Sequence, residues 1–183
     1  MARNKERHYG RWALAFGIPA AALYAVMTQV TLASLAEVSG LTPFDMRAGG
    51  YGFADAQALL NGLGEAGRSY YLTRQIPLDL LYPGLMAATI IVVFLWVARA
   101  VGWRRVAWIG SVLAVGAGLA DYLENLGIVA MIARYPDVSE ALVSAASLAS
   151  VAKATLTTLA LTLLLIVALL RGVRTLRGRA LAQ

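Results

Sequence analysis

The 183-residue chain has no cysteine and a single histidine. The first absence excludes disulfides, thiolate metal sites and thiol redox chemistry. The second leaves only His8, in a basic tail, which excludes a two-histidine haem and gives zinc no imidazole set. Charge is scarce too. Asp, Glu, Lys and Arg make up 14% of the chain, against 60% hydrophobic residues, where a soluble domain carries about 25% charged residues. That balance excludes an ordinary soluble domain. Hydrolase signatures such as GxSxG and HExxH are missing. The glycines of MRAGGYGF have no strand before them and no GK[ST] after them, so they form no phosphate loop. No metal and no cofactor is expected.

The residues that are present predict an all-α, polytopic membrane protein: a single four-helix domain with spans at about 12–35, 78–98, 106–133 and 141–170. The first apolar run follows a basic start, as in a signal peptide. At about 24 residues it is long enough to be a full span, and no small-residue cleavage motif interrupts it. Residues 37–77 read as a cap over one membrane face. Within it, FADAQALLNGLG places apolar side chains at 56, 59, 60 and 63, which predicts a short amphipathic helix, and a second short helix is predicted from Glu65 to Gln75. Tyr70, Tyr71 and Tyr135 suit a membrane interface.

The basic residues predict an orientation. Eleven of them fall in the tails 1–11 and 171–183 and in the turn 99–105, whereas the opposite side has Arg47, Arg68, Arg74 and Arg134. By the positive-inside rule both termini are cytoplasmic and the cap faces outward. Trp12, Trp96, Trp103 and Trp108 agree as an inner aromatic belt. The Ala, Leu, Gly and Arg bias fits a bacterial inner membrane. The net charge of +6 is thereby assigned to orientation and to lipid headgroups, and no nucleic acid is expected as a partner.

The sixteenth basic residue, Lys153, lies inside a span, as do Asp79, Asp121 and Glu124. An ionised carboxylate at the bilayer centre costs roughly 2.5–3.5 kcal/mol on insertion scales, so these residues have to be covered by protein. Asp121, Glu124 and Asn125 share one helical face, at offsets of 0, +3 and +4. At about 1.5 Å per residue, Thr28, Asp79, Asp121 and Lys153 come out at a common depth, roughly 22–29 Å from the inner boundary. Gln29, Tyr82 and Ser150 fall in the same band. Gly110, Ala114, Ala117 and Gly118 are small enough to let a neighbouring helix come close.

Asp79, Tyr82, Asp121, Glu124, Asn125, Lys153 and Gln29 are therefore the candidate ligand-binding residues, and Glu124, Asp121 and Lys153 the candidate catalytic ones. Three acids face one ammonium. Either carboxyls hold protons, or Arg68 or Arg74 folds in from the cap, or a cationic ligand completes the site. The reading favoured is a protein that binds or transports a small cationic or amphipathic ligand, with proton coupling as an option. The alternatives are an intramembrane enzyme acting on a lipid-like substrate and a non-catalytic accessory subunit of a membrane complex. Membrane lipids are expected partners, as is an oligomeric or complex partner. A purely structural role for the buried ions is an interhelical ion pair that fixes register.

Overall fold

The computed structural model describes residues 2–99 and 102–180, with side chains over 8–98 and 102–175. Arg3, Lys5, Arg7, Arg99, Arg177 and Arg179, used above to assign orientation, lie outside the described side chains. Within the described residues the regular structure is entirely helical: α1 (Ala2–Val26), α2 (Leu32–Ser39), α3 (Phe53–Tyr70), α4 (Ile76–Arg99), α5 (Arg104–Ala133) and α6 (Glu140–Ala180). Four stretches, His8–Ser39, Phe53–Ala98, Arg104–Ala133 and Glu140–Thr175, are long and apolar enough to cross a membrane.

Two π-helical turns join what would otherwise be separate helices. Met27–Thr31 links α1 to α2, and Tyr71–Gln75 links α3 to α4. The second lies just ahead of Pro77, which has no N–H to continue a regular ladder; helices accommodate such positions with a bulge. The chain expected to form a cap is thus largely helical, and its last part, after Gly64, continues into α4. Its non-helical part is the loop from Gly40 to Gly52, which holds a single 3-10 turn, Phe44–Met46. Gly40 ends α2 with a left-handed φ of 67°, a conformation that glycine reaches without strain. Within α3, Gly64 is non-helical at φ 60°, so the two predicted short helices meet at that residue. Ala56, Leu59, Leu60 and Leu63 are all buried, as their spacing requires.

The packing follows chain order: α1 lies on α4, α4 on α5 and α5 on α6, with a smaller contact between α4 and α6. α1 and α6 share no comparable interface, which leaves a cleft between them. On α5 the buried face is built from small residues, Ala107, Gly110, Ala114, Ala117 and Ala120, before it becomes polar at Asp121, Glu124 and Asn125. The opposite face, with Trp108, Val112, Val115, Leu119, Leu123 and Leu126, is exposed. A helix with its ionisable groups buried and its leucines exposed has the reverse of a soluble helix's polarity, and hydrocarbon is the solvent that suits it.

Candidate functional site

The acids and the lysine converge where α4, α5 and α6 meet. Lys153 Nζ ion-pairs with both Asp121 Oδ1, at 3.4 Å, and Glu124 Oε2. Glu124 has no exposed surface, and its other oxygen accepts a hydrogen bond from the Ser150 hydroxyl. Ser150 precedes Lys153 by three residues on α6, and Glu124 follows Asp121 by three on α5, so each pair projects from one face of its helix. An interhelical ion pair between α5 and α6 is therefore present.

A void is also present. A cavity of about 420 Å³ opens beside the ion pair, with Asp45, Asp79, Asp121 and Lys153 at its polar end. Its apolar end runs between Met86, Ala87 and Ile90 of α4 and Ala114 and Ala117 of α5. A buried apolar cluster of Ile90, Phe94, Ala114 and Ala160 lies at that end. Thr28, Asp79, Asp121 and Lys153, which share a depth by sequence, all line this one space. The exposed residues of its lining, Tyr24 on α1, Met46 and Ala48 in the loop and Thr158 on α6, put its mouth at the α1/α6 cleft beneath the loop.

The other candidates fall into three places. Tyr82 lines the cavity and its ring lies 5.8 Å from that of Tyr24. Asn125 is buried behind the cavity, and its Nδ2 donates to the Asp79 backbone carbonyl at 3.2 Å. Gln29 is not brought to the cluster. It points outward from the first π turn, exposed and away from the cavity lining, because the inward positions of that turn go to Met27 and Thr31. Neither arginine considered for charge balance reaches the acids. Arg68 donates to the Leu60 carbonyl and lies 3.9 Å above the Tyr135 ring, and Arg74 is exposed.

A fourth carboxylate joins the site. Asp45, in the 3-10 turn of the loop, accepts hydrogen bonds from the Tyr71 hydroxyl and from Gln75 Nε2. Its side chain also meets that of Asp79. Thr31 donates to Gln75 Oε1, so one chain of hydrogen bonds ties the α1/α2 junction to the loop. Tyr71, expected at a membrane interface, is fully buried because it holds Asp45. The signal was in the sequence: Tyr71, Gln75, Asp79 and Tyr82 recur at +4, +4 and +3, a polar stripe that continues along α4. The loop is pinned as well. Gly50, at φ 81°, approaches α6 so closely that a Cβ would lie 2.7 Å from Ser147 Oγ, and the Tyr51 amide donates to that oxygen at 2.8 Å. Burial pushes the Tyr51 phenol well above its ordinary range, and its buried hydroxyl has no hydrogen-bond partner.

Asp79 stands apart within the group. It is 2% exposed, it lines the cavity, and its Oδ2 has no hydrogen-bond donor. Among the described residues, no three acidic or imidazole side chains converge closely enough to hold a metal ion. In comparisons with protein-family models, curated proteins and solved structures, nothing matches this chain.

Proposed function

We propose that this chain is a multi-pass protein of a bacterial inner membrane, with both termini cytoplasmic, that binds an amphipathic cation taken from the outer leaflet. One observation carries the reading: a single cavity has a carboxylate-rich end, with Asp45, Asp79 and Asp121 against Lys153, and a mainly apolar end formed by Met86, Ala87, Ile90, Ala114 and Ala117, with Thr157 and Thr158 on its α6 side. Lys153 is already engaged by Asp121 and Glu124, so Asp45 and Asp79 are the acids free of a cation. Ile90 lies eleven positions beyond Asp79, about 16 Å along the helix, which gives an alkyl tail room to extend. Few sites bury a ligand well without such a largely apolar lining and a small number of polar groups to orient it.

Binding is favoured over conduction by the buried apolar cluster at Ile90, Phe94 and Ala160. The enzyme and subunit readings have no comparable observation behind them. The test is calorimetric titration of the full chain in lipid nanodiscs, with empty nanodiscs subtracted, using dodecylammonium, dodecanol and dodecyl sulfate. Saturable binding of the ammonium, at least tenfold tighter than of the other two, is the expected result. Equal binding of all three, or no saturable ammonium binding, overturns the reading.

A further inference from the structure

We infer that the cationic head recognised here is a primary or secondary ammonium, bound through its N–H groups as a bridge between Asp45 and Asp79; this rests on the amphipathic-cation reading above. Attraction to a negative site is common to every organic cation, quaternary ones included. Hydrogen-bond capacity separates them, and the site's unmet demand is for donors.

The donor inventory is short. Asp45 Oδ1 accepts from Gln75 and Oδ2 from Tyr71, each bond holding the carboxylate in place but leaving lone pairs toward the cavity. Asp79 receives nothing at Oδ2, although it is almost wholly buried. The Asn125 amide that reaches α4 at this level goes to the backbone carbonyl of Asp79 and leaves its carboxylate alone. Lys153 is held by Asp121 and Glu124. Asp45 and Asp79, whose side chains meet, can hold one proton between them; an incoming ammonium takes the place of that proton and lets both acids accept. A buried acceptor without a donor costs about 1–3 kcal/mol, more when it is charged.

An ammonium with two or more N–H groups supplies one bond to each acid and neutralises part of their charge, and charge-assisted bonds of this kind are roughly twice as strong as neutral ones. A tertiary ammonium has a single N–H and reaches one acid. A quaternary head has none, and it would need the aromatic enclosure that such heads ordinarily use. At the polar end the aromatic rings of the lining are Tyr24 and Tyr82, and Tyr24 is largely exposed.

The series dodecylammonium, N-methyl-, N,N-dimethyl- and N,N,N-trimethyldodecylammonium tests this, titrated into the full chain in nanodiscs. The first two are expected to bind within about threefold of each other, with a drop of at least tenfold at the dimethyl compound, where the second N–H is lost. Asp79→Asn and Asp45→Asn should flatten that step in protein that unfolds at the wild-type temperature. A smooth decline with head size, or equal affinity throughout, overturns the bridging ammonium while leaving the amphipathic-cation reading intact. Failure of every member to saturate overturns both. The wild-type series decides the matter even if either variant does not fold.

Discussion

The Asn125 side chain occupies the place of a missing backbone hydrogen bond. Pro83 has no N–H, so the carbonyl four residues earlier, that of Asp79, lacks its regular helical donor; Asn125 Nδ2 on α5 donates to it at 3.2 Å. That cross-helix bond ties the α4 backbone at Asp79, in the cavity wall, to α5. Asn125→Leu should therefore lower stability by about 1–3 kcal/mol, the cost of a buried unsatisfied carbonyl. In a Pro83→Ala background the restored N–H serves Asp79, and most of that loss should vanish. Reversible unfolding in mixed micelles measures the cycle; equal penalties in both backgrounds would show that Asn125 acts elsewhere.

Glu124 and Lys153 behave as a unit in this geometry. Glu124→Gln leaves Lys153 with Asp121 alone, at 3.4 Å, so the expected loss is about 2 kcal/mol, less than the roughly 3–5 kcal/mol typical of a severed buried pair. Lys153→Met strands two carboxylates and should be worse. The double variant Glu124→Leu with Lys153→Met should recover at least half of the Lys153→Met loss, since apolar replacement of a buried pair is often neutral. The unfolding midpoints of the wild type and the three variants check this, and a double variant no more stable than Lys153→Met would contradict it.

Helix contact depends on particular glycines. A Cβ on Gly127 would lie 2.5 Å from the Ala146 Cβ, on a face that cannot move aside cheaply, whereas one on Gly118 meets its neighbours at ordinary contact distances of 3.5 Å and beyond. Gly127→Ala should destabilise by about 1–3 kcal/mol, as overpacking does. Gly118→Ala should be neutral or slightly stabilising, because alanine is favoured in a helix by roughly 1 kcal/mol. Thermal unfolding of the two variants should separate them clearly.

Orientation has a direct chemical test because the chain lacks cysteine. Gly49, in the loop, has open space around its Cβ position, and Arg104 is exposed at the start of α5. In intact cells Gly49→Cys should react with a membrane-impermeant maleimide, while Arg104→Cys should react only after permeabilisation. The opposite pattern would invert the topology and place the cavity in the inner leaflet.

What the sequence made legible follows from two strong signals. Apolar runs longer than a bilayer's thickness located the long helices, and the cost of ions in hydrocarbon forced Asp79, Asp121, Glu124 and Lys153 toward one another. Helical rise alone brought Thr28 to the same level, and the cavity lining contains it. Gln29 is its neighbour in sequence, but depth says nothing about azimuth, and a π turn rotates the helix face in a way that a 3.6-residue period does not anticipate. Asp45 was hidden for another reason. Its partners Tyr71 and Gln75 lie some thirty positions away, and a loop folding back onto a helix leaves no periodic trace.

The most direct measurement is photo-crosslinking with a long-chain primary amine carrying a diazirine at the far end of its tail, in nanodiscs, followed by peptide mapping. The head on Asp79 and the tail along α4 should place the label between Met86 and Ile90, or on Ala114 to Gly118 of α5. Asp79→Asn, which replaces a buried carboxyl that has no donor at Oδ2 by an amide of the same shape, should unfold no earlier than the wild type and should lose that labelling. Labels spread over the exposed Leu119, Leu123 and Leu126 stripe, unchanged by Asp79→Asn, would mean that the amine lies in the lipid and that the cavity holds no such ligand.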